Sequence, residues 1–166
     1  ETSFEEVAEV FAKRLSGSGV SLEAEKKFKT FTLTYLGKLY AELDWAMQFH
    51  INAHRNNNTR MFKILGPDTG YDSINDDQIA KPLVKILDSL EQENMLPKTI
   101  IYSFNPGDNV VIASIINSFQ DGKTPGKIQF GTAWWFNDTK ERMLEQMKAL
   151  STIGLFSRFI GLLTDS

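Results

Sequence analysis

The chain has 166 residues, 42% of them hydrophobic, which is enough for one domain with a substantial core. Its net charge of −3 argues against a nucleic acid partner, because proteins that bind phosphate backbones carry clustered positive charge. The absence of cysteine excludes disulfides and thiol chemistry and favours a cytoplasmic location, and no apolar run approaches the roughly 18 residues of a membrane-spanning helix.

Two helices are predicted in residues 1–44. Ser3 and Glu6 have the spacing of a capping box, and apolar residues recur at helical intervals after them. Ser21 then caps a longer helix with its own apolar stripe. Because no strand is predicted between these helices, we interpret residues 1–44 as a helical segment beside a main unit of residues 45–166.

From residue 45 the pattern changes to an alternation of strands and helices. The predicted strands are Trp45–Ile51, Thr99–Phe104, Lys127–Gly131 and Arg158–Leu163. The predicted helices are Ile79–Asn94, one that Asn105 caps and that runs from Pro106 through Phe119, and one that Asp138 or Thr139 caps and that ends at Gly154. The strands are short and almost continuously apolar, as parallel strands buried on both faces are. The pattern predicts an α/β fold, a partial (β/α)8 TIM barrel of about four parallel strands, since a complete barrel needs about 250 residues. No glycine-rich phosphate-binding motif follows a strand, so a dinucleotide-binding fold has no support.

The segment of residues 52–77 is long for a loop inside a compact domain. It is rich in Asn, Asp, Gly and Pro yet contains apolar anchors, which predicts an ordered loop with a functional purpose. The run Asn56-Asn57-Asn58 has no obvious structural purpose in a plain turn, and it strengthens the functional interpretation of this loop.

Polar or aromatic side chains lie at the carboxyl ends of the predicted strands or just after them, namely His50, Asn105, Trp134, Trp135 and Asp165. In parallel α/β folds these ends share one edge, where active sites are built. Asp165 can bind a divalent cation or act as a general base, and it can equally cap a following helix. His50 can be a ligand, an acid, a base or a hydrogen-bond donor, or it can be a buried structural histidine.

Two arginines of the long loop also have two interpretations each. Arg55 offers a planar fork suited to a carboxylate, or it is a loop arginine paired with a nearby acid such as Asp68 or Asp72. The same alternatives hold for Arg60, with the paired loop arginine favoured.

The two adjacent tryptophans can stack on a sugar or pack in the core. Core packing is expected for one of them, because the side chains of neighbouring residues point in different directions. The nearby His54 has no recognisable partner in the sequence, and we expect it at the surface.

Several long runs of the sequence resemble uronate isomerase, also called glucuronate isomerase. They cover Trp45 to Ser166 almost continuously and read MQFHINAHRNNNTRMFKILGPDTGYDSI, LPKTIIYSFNPGDN, KIQFGTAWWFND and FIGLLTDS. This family belongs to the amidohydrolase superfamily of metal-dependent (β/α)8 barrels. Its members interconvert aldohexuronates and ketohexuronates, such as D-glucuronate and D-fructuronate or D-galacturonate and D-tagaturonate. The resemblance implies a cytoplasmic isomerase of pentose and glucuronate interconversion with a small-molecule hexuronate substrate.

The resemblance also implies roles for individual residues. It makes His50 and Asp165 catalytic, with Asp165 also a ligand of a divalent metal that we expect to be zinc. It places Arg55, Trp134 and Trp135 against the substrate. The implied reaction removes a proton from the carbon beside the carbonyl, passes through an enediol and returns a proton to the neighbouring carbon, while the metal polarises the oxygens. It leaves the number of subunits open, a homo-oligomer included.

The sequence departs from the family pattern at several points. Asn52 stands where a small residue, usually Gly, is expected, so we expect a slightly different turn after His50. The His-x-His pair of metal ligands expected on the first strand is absent, as is the arginine expected after Ser166. With one of three expected ligands present, we expect this chain alone to bind no metal and to lack turnover. Its start at Glu1 is typical of an internal segment.

Two other functions stay open at this point. One is a metal-dependent hydrolase of the same superfamily, although such sites more often place another histidine on the next strand, where residues 102–105 supply none. The other is a non-catalytic module that binds sugar acids through Arg55, Trp134 and Trp135. Turnover of a hexuronate separates both from the isomerase.

Overall fold

A computed structural model of the chain describes residues 2–161. Its helices and strands are, in chain order, α1 (Phe4–Leu15), α2 (Leu22–Glu42), β1 (Met47–Ile51), β2 (Ala53–His54), α3 (Thr59–Leu65), β3 (Ser73–Ile74), α4 (Ala80–Glu91), β4 (Thr99–Ser103), α5 (Asn109–Asn117), β5 (Ile128–Phe130) and α6 (Lys140–Ile153). Short 3-10 helices span Pro106–Asp108, Trp135–Asn137 and Phe156–Arg158. Within residues 2–161, every helix is too short or too polar to cross a membrane.

The two N-terminal helices begin at the residues that the sequence predicts. The Ser3 hydroxyl accepts the N–H of Glu6 at 3.2 Å, and the Glu6 carboxylate accepts the N–H of Ser3 at 3.0 Å, which completes the capping box. The Ser21 hydroxyl caps α2 by accepting the N–H of Ala24 at 3.2 Å. The second helix packs on α4 at Gly37, where an added Cβ would lie 2.7 Å from the Leu90 side chain. The missing side chain therefore lets the two helices approach closely.

Strands β1, β4 and β5 form a parallel sheet in the order β1–β4–β5. Three of the four predicted strands are therefore confirmed as parallel neighbours. Met47 pairs with Thr99, and Thr99 pairs with Ile128, so the strands start at one level and their carboxyl ends share an edge. The long loop is also ordered as predicted, because it contains α3 and an antiparallel ribbon of β2 and β3.

The fourth predicted strand, Arg158–Leu163, is wrong for the part that the structure describes. Arg158 closes a 3-10 helix, and residues 159–161 belong to no strand. Phe159 stacks on Phe156 with ring centroids 5.7 Å apart. This part of the apolar run therefore packs on a neighbouring ring instead of pairing with a strand. The remainder of the predicted strand lies outside the described residues. The described chain is thus a mixed α/β fold around three parallel strands.

The parallel sheet separates two apolar clusters. Met47, Ile101, Ile128 and Phe130 project from one face into the main core formed with α4, α5 and α6. The opposite face carries the second cluster, Ile100, Tyr102, Phe104 and Trp134, whose members come from β4 and from segments that follow β4 and β5. This second face leads directly to the carboxyl edge of the sheet, where His50 lies near the end of β1.

Candidate active site

His50 and the segment after β5 meet across β4 at the carboxyl edge of the sheet. His50 lies opposite Tyr102 in the strand register, and their rings stack with centroids 4.6 Å apart and planes 9° apart. The Trp134 ring meets the same imidazole edge-on at 4.8 Å. Burial raises the pKa of the Tyr102 hydroxyl, so this ring stays neutral at neutral pH. His50 is exposed, and the alternative of a buried structural histidine is therefore wrong.

The adjacent tryptophans take different places, as the sequence predicts for one of them. Trp134 is 6% exposed and packs on Phe104 with centroids 5.3 Å apart. Trp135 is half-buried and also lies against Phe104, at 4.4 Å. Its φ of 55° is rare for a bulky residue and costs about 1–3 kcal/mol in backbone strain. Such strain is found where the surrounding structure holds a side chain in a particular place.

Arg55 is held by two carboxylates and one aromatic ring. Its Nη1 lies 3.3 Å from Asp68 Oδ1 and 3.8 Å from Asp72 Oδ2, so the predicted pairing with a loop acid is confirmed. The guanidinium carbon lies 4.9 Å from the centroid of the Trp135 ring. The Asp72 side chain is only 4% exposed and that of Asp68 is 68% exposed, so Asp72 is the better-ordered partner. These contacts orient the guanidinium without using all of its donors.

The three consecutive asparagines have structural roles that the sequence analysis did not foresee. Asn56 adopts a φ of 57°, donates its N–H to Asp72 at 2.8 Å and accepts the N–H of Asp68 at 3.1 Å. Asn57 bonds to the β3 side of the ribbon, and Asn58 caps α3. The run therefore ties together the loop that carries the two acids facing Arg55.

A buried carboxylate behind the edge was missed by the sequence analysis. Asp108 is 9% exposed, and its Oδ2 accepts bonds from Asn52 Nδ2 at 2.6 Å and from Ser103 Oγ at 2.7 Å. Asn52 has a φ of 64°, a conformation that Asn tolerates better than most residues, so it can stand where Gly is expected. Asp108 thus joins the exits of β1 and β4. Its position in the first turn after Asn105-Pro106 was the available signal.

Two further asparagines form hydrogen bonds between neighbouring loops. Asn105 caps the 3-10 helix as predicted and donates its side-chain amide to the Asn75 carbonyl and to Asp76, both at 3.2 Å. Asn137 donates to the carbonyls of Ser103 and Phe104, both at 3.1 Å, and its buried Oδ1 has no partner within the described residues. The exits of β4 and β5 are therefore cross-linked by side-chain amides.

The remaining candidates are exposed or lie outside the described range. His54 and Arg60 are exposed, which confirms His54 as a surface histidine. Asp165 falls outside residues 2–161. Within residues 2–161, no group of three His, Asp or Glu side chains is close enough to hold a metal ion. The described residues therefore do not fit a divalent metal centre by themselves.

The sequence matches a protein-family model described as glucuronate isomerase over residues 1–166. The chain belongs to the glucuronate isomerase family. It is 73% identical to the uronate isomerase of Bacillus subtilis and 74% identical to that of Bacillus velezensis, in both cases over 100% of the chain. The chain spans only 35% and 36% of the length of these curated relatives.

Solved structures of the glucuronate isomerase family have the same fold in this region. The crystal structure of uronate isomerase from Thermotoga maritima superimposes with a TM-score of 0.88 at 28% identity, covering 100% of this chain and 35% of that protein. Glucuronate isomerase from Caulobacter crescentus gives a TM-score of 0.80 at 22% identity, covering 97% of this chain and 32% of that protein, which shows the shared fold alone.

Proposed function

We propose that a full-length protein containing this chain is a uronate isomerase that interconverts aldohexuronates and ketohexuronates. The proposal is supported by family membership and by the names of the Bacillus relatives. The single structural observation that carries it is the meeting of His50, Trp134, Trp135 and Arg55 around one edge of a parallel sheet. The cysteine-free composition supports a cytoplasmic location as part of the same proposal.

The finer architecture belongs to this proposal as well. We assign residues 45–166 to part of a (β/α)8 barrel and residues 1–44 to a helical segment beside it. The three parallel strands with helices on one face support this assignment, because a barrel has its helices outside and the other face of its strands inside, with the site at the carboxyl ends of the strands. On this basis the face with His50 and Tyr102 looks into the barrel.

In the proposed reaction the open-chain sugar acid is held by its ends. A substrate carboxylate pairs with the Arg55 guanidinium, whose plane is already set by Asp72 and Trp135. Trp135 and the edge of Trp134 offer an apolar wall beside the carbon chain. His50 lies on the other side of Trp134 from Trp135 and Arg55, where it can hydrogen-bond to a hydroxyl or carbonyl oxygen of the substrate. Binding by both ends would fix the reacting carbons near the sheet edge.

The chemistry moves one proton between adjacent carbons. A base takes the proton from C2 of the aldose, and the electrons form a C1–C2 double bond as the C1 oxygen gains a proton. The resulting enediol loses the C2 hydroxyl proton as the ketone forms, and C1 gains a proton. We assign His50 and Asp165 to this proton transfer, with Asp165 also a ligand of the family's divalent metal. The described residues provide no complete metal centre, so none of these steps is attributed to a metal.

An assay of the full-length protein tests this function. It is incubated with D-glucuronate and with D-galacturonate, and the keto products are measured. We expect ketose to form and the reverse reaction to yield aldose. Cleavage of an amide or lactone without isomerisation would favour the hydrolase, and tight hexuronate binding without turnover would favour a binding module.

A further inference from the structure

We propose that Tyr102 is a positioning residue that sets the orientation of the His50 imidazole, and that Gly131 keeps the space that Tyr102 needs. The inference deepens the proposed function and rests on it, because Tyr102 and Gly131 would act through His50, a residue of the proposed site. It depends on contacts between described residues of three neighbouring segments.

The imidazole of His50 contacts aromatic rings in two directions. Tyr102 is its register partner on the adjacent strand, and the rings are almost parallel at 4.6 Å and 9°. Trp134 approaches at 74° and 4.8 Å. A ring that is stacked on one face and met by a second ring cannot rotate freely, since rotation would lose both contacts. Tyr102 therefore restricts the directions in which the imidazole nitrogens can point.

Tyr102 is itself fixed by the next strand. It is 1% exposed, and a Cβ added at Gly131 would overlap its Cε1 and Cδ1 atoms and lie 2.8 Å from its Cζ. Any side chain at residue 131 would displace the Tyr102 ring, because real Cβ atoms do not approach so closely. The phenol ring thus occupies the volume that a side chain at residue 131 would need.

The backbone of Gly131 cannot move away to make room. Its N–H donates to the Ile101 carbonyl at 2.8 Å, and its carbonyl accepts a bond from the buried Gln146 amide. Its φ lies outside the left-handed region, so the backbone conformation alone does not require glycine. Space for Tyr102 is the physical reason for glycine at this position.

The ring of Tyr102, rather than its hydroxyl, performs the proposed role. Tyr102→Phe keeps the stack and should rescue the function that Tyr102→Leu loses. Misplacement of a group that touches substrate lowers kcat more than it changes KM, because the ground-state contacts of Arg55 persist. We expect Tyr102→Leu to lower kcat about 10- to 100-fold, a loss typical of a misplaced site.

The test uses four variants of the full-length protein: Tyr102→Phe, Tyr102→Leu, Gly131→Ala and the double variant that combines Tyr102→Leu with Gly131→Ala. We expect Gly131→Ala to lower kcat when Tyr102 is present. It should have little further effect when combined with Tyr102→Leu, because the space beside residue 131 is then open. Equal effects of Gly131→Ala in both backgrounds would overturn the proposal. So would a kcat for Tyr102→Leu equal to that for Tyr102→Phe.

A second measurement does not depend on turnover. In protein labelled at histidine, ring currents from Tyr102 and Trp134 should shift the His50 ring-proton signal away from that of the exposed His54. We expect the His50 signal to be kept in Tyr102→Phe and to move in both Tyr102→Leu and Gly131→Ala. If the protein does not isomerise hexuronates but the signal moves in this way, only the proposed function fails. An unchanged signal in Tyr102→Leu would overturn the positioning role.

Discussion

The guanidinium carbon of Arg55 lies 4.9 Å from the centroid of the Trp135 ring, a residue whose own backbone is strained. A cation over an aromatic face is stabilised by about 0.5–1 kcal/mol at exposed sites. This gain does not exceed the backbone strain at Trp135, which costs about 1–3 kcal/mol. The contact therefore does not account for the strain as a source of stability, and it fits the proposed role of Arg55 in binding a substrate carboxylate.

Replacing Arg55 with Lys should weaken substrate binding more than it slows the chemical step. A lysine keeps the charge but cannot form a bidentate pair with a carboxylate. We expect KM for the hexuronate to rise about tenfold or more, with kcat reduced less, which steady-state kinetics will measure.

The matched control for this change is Arg142→Lys. Arg142 is also an exposed arginine paired with an acid, Glu145 at 2.7 Å, but it lies on α6. We expect its KM to stay within about twofold of the parent protein, since exposed ion pairs contribute little. An equal rise in KM for both variants would remove Arg55 from the site.

The two acids beside Arg55 should differ in their importance. Asp72 is almost fully buried and also accepts the Asn56 N–H at 2.8 Å, so Asp72→Asn removes a charge that orients the guanidinium. Asp68 is exposed, and its ion pair is worth about 0–1 kcal/mol. We expect KM to rise clearly for Asp72→Asn and to change little for Asp68→Asn. The reverse order would show that the exposed pair is the one that positions Arg55.

Removing the buried carboxylate of Asp108 should destabilise the edge of the sheet. Asp108→Ala removes the acceptor that the Asn52 amide and the Ser103 hydroxyl share, and leaves them only longer bonds, to the Asp77 carbonyl at 3.5 Å and to the Asn105 carbonyl at 3.2 Å. We expect the change to cost about 1–3 kcal/mol in all. Asp108→Asn keeps an oxygen in place and should cost less. Thermal unfolding of the full-length variants should therefore give midpoints in the order parent, Asn, Ala. Equal midpoints for all three proteins would mean that this network does not support the fold.

The assignment of Asp165 is tested by Asp165→Asn in the full-length protein. Asparagine keeps the shape and one oxygen but loses the negative charge and the basicity needed for proton transfer. We expect turnover to fall at least about 100-fold without loss of the fold, as circular dichroism will check. Asp88→Asn, on the exposed side of α4, is the control and should retain activity. Full activity of Asp165→Asn would contradict the proposed role.

The isolated 166-residue chain should neither isomerise hexuronates nor bind stoichiometric metal, because the expected partner ligands are not in its sequence. Turnover assays and metal analysis of the purified segment, run beside the full-length protein, will check this. Robust turnover by the segment alone would contradict the assignment of the missing histidines as ligands.

The parallel strands could be predicted because their buried residues form short apolar runs in the sequence. Every residue of β4 is buried, and its centre, Ile100–Tyr102, is accordingly apolar. The same kind of run at Arg158–Leu163 gave a wrong prediction for its described part. In the described part of that run Ile160 is 49% exposed, so an apolar run establishes neither burial nor strand pairing. Pairing depends on hydrogen-bond partners that the local sequence does not reveal.

The site was predictable where it depends on position along the chain and unpredictable where it depends on distant contacts. His50 lies near the end of β1 and the tryptophans follow β5, so their meeting at one edge follows from parallel topology. The bond between Asn52 and Asp108 joins residues 56 positions apart, and no local pattern predicts it. The same holds for Gly131, whose importance comes only from the Tyr102 ring that lies over it.

The most direct measurement is a crystal structure of the full-length protein with a bound hexuronate. The account predicts that the sugar carboxylate pairs with the Arg55 guanidinium at about 2.8 Å, beside Trp135, with the reacting carbons near His50. A hexuronate bound elsewhere, with Arg55 contacting only Asp68 and Asp72, would contradict it.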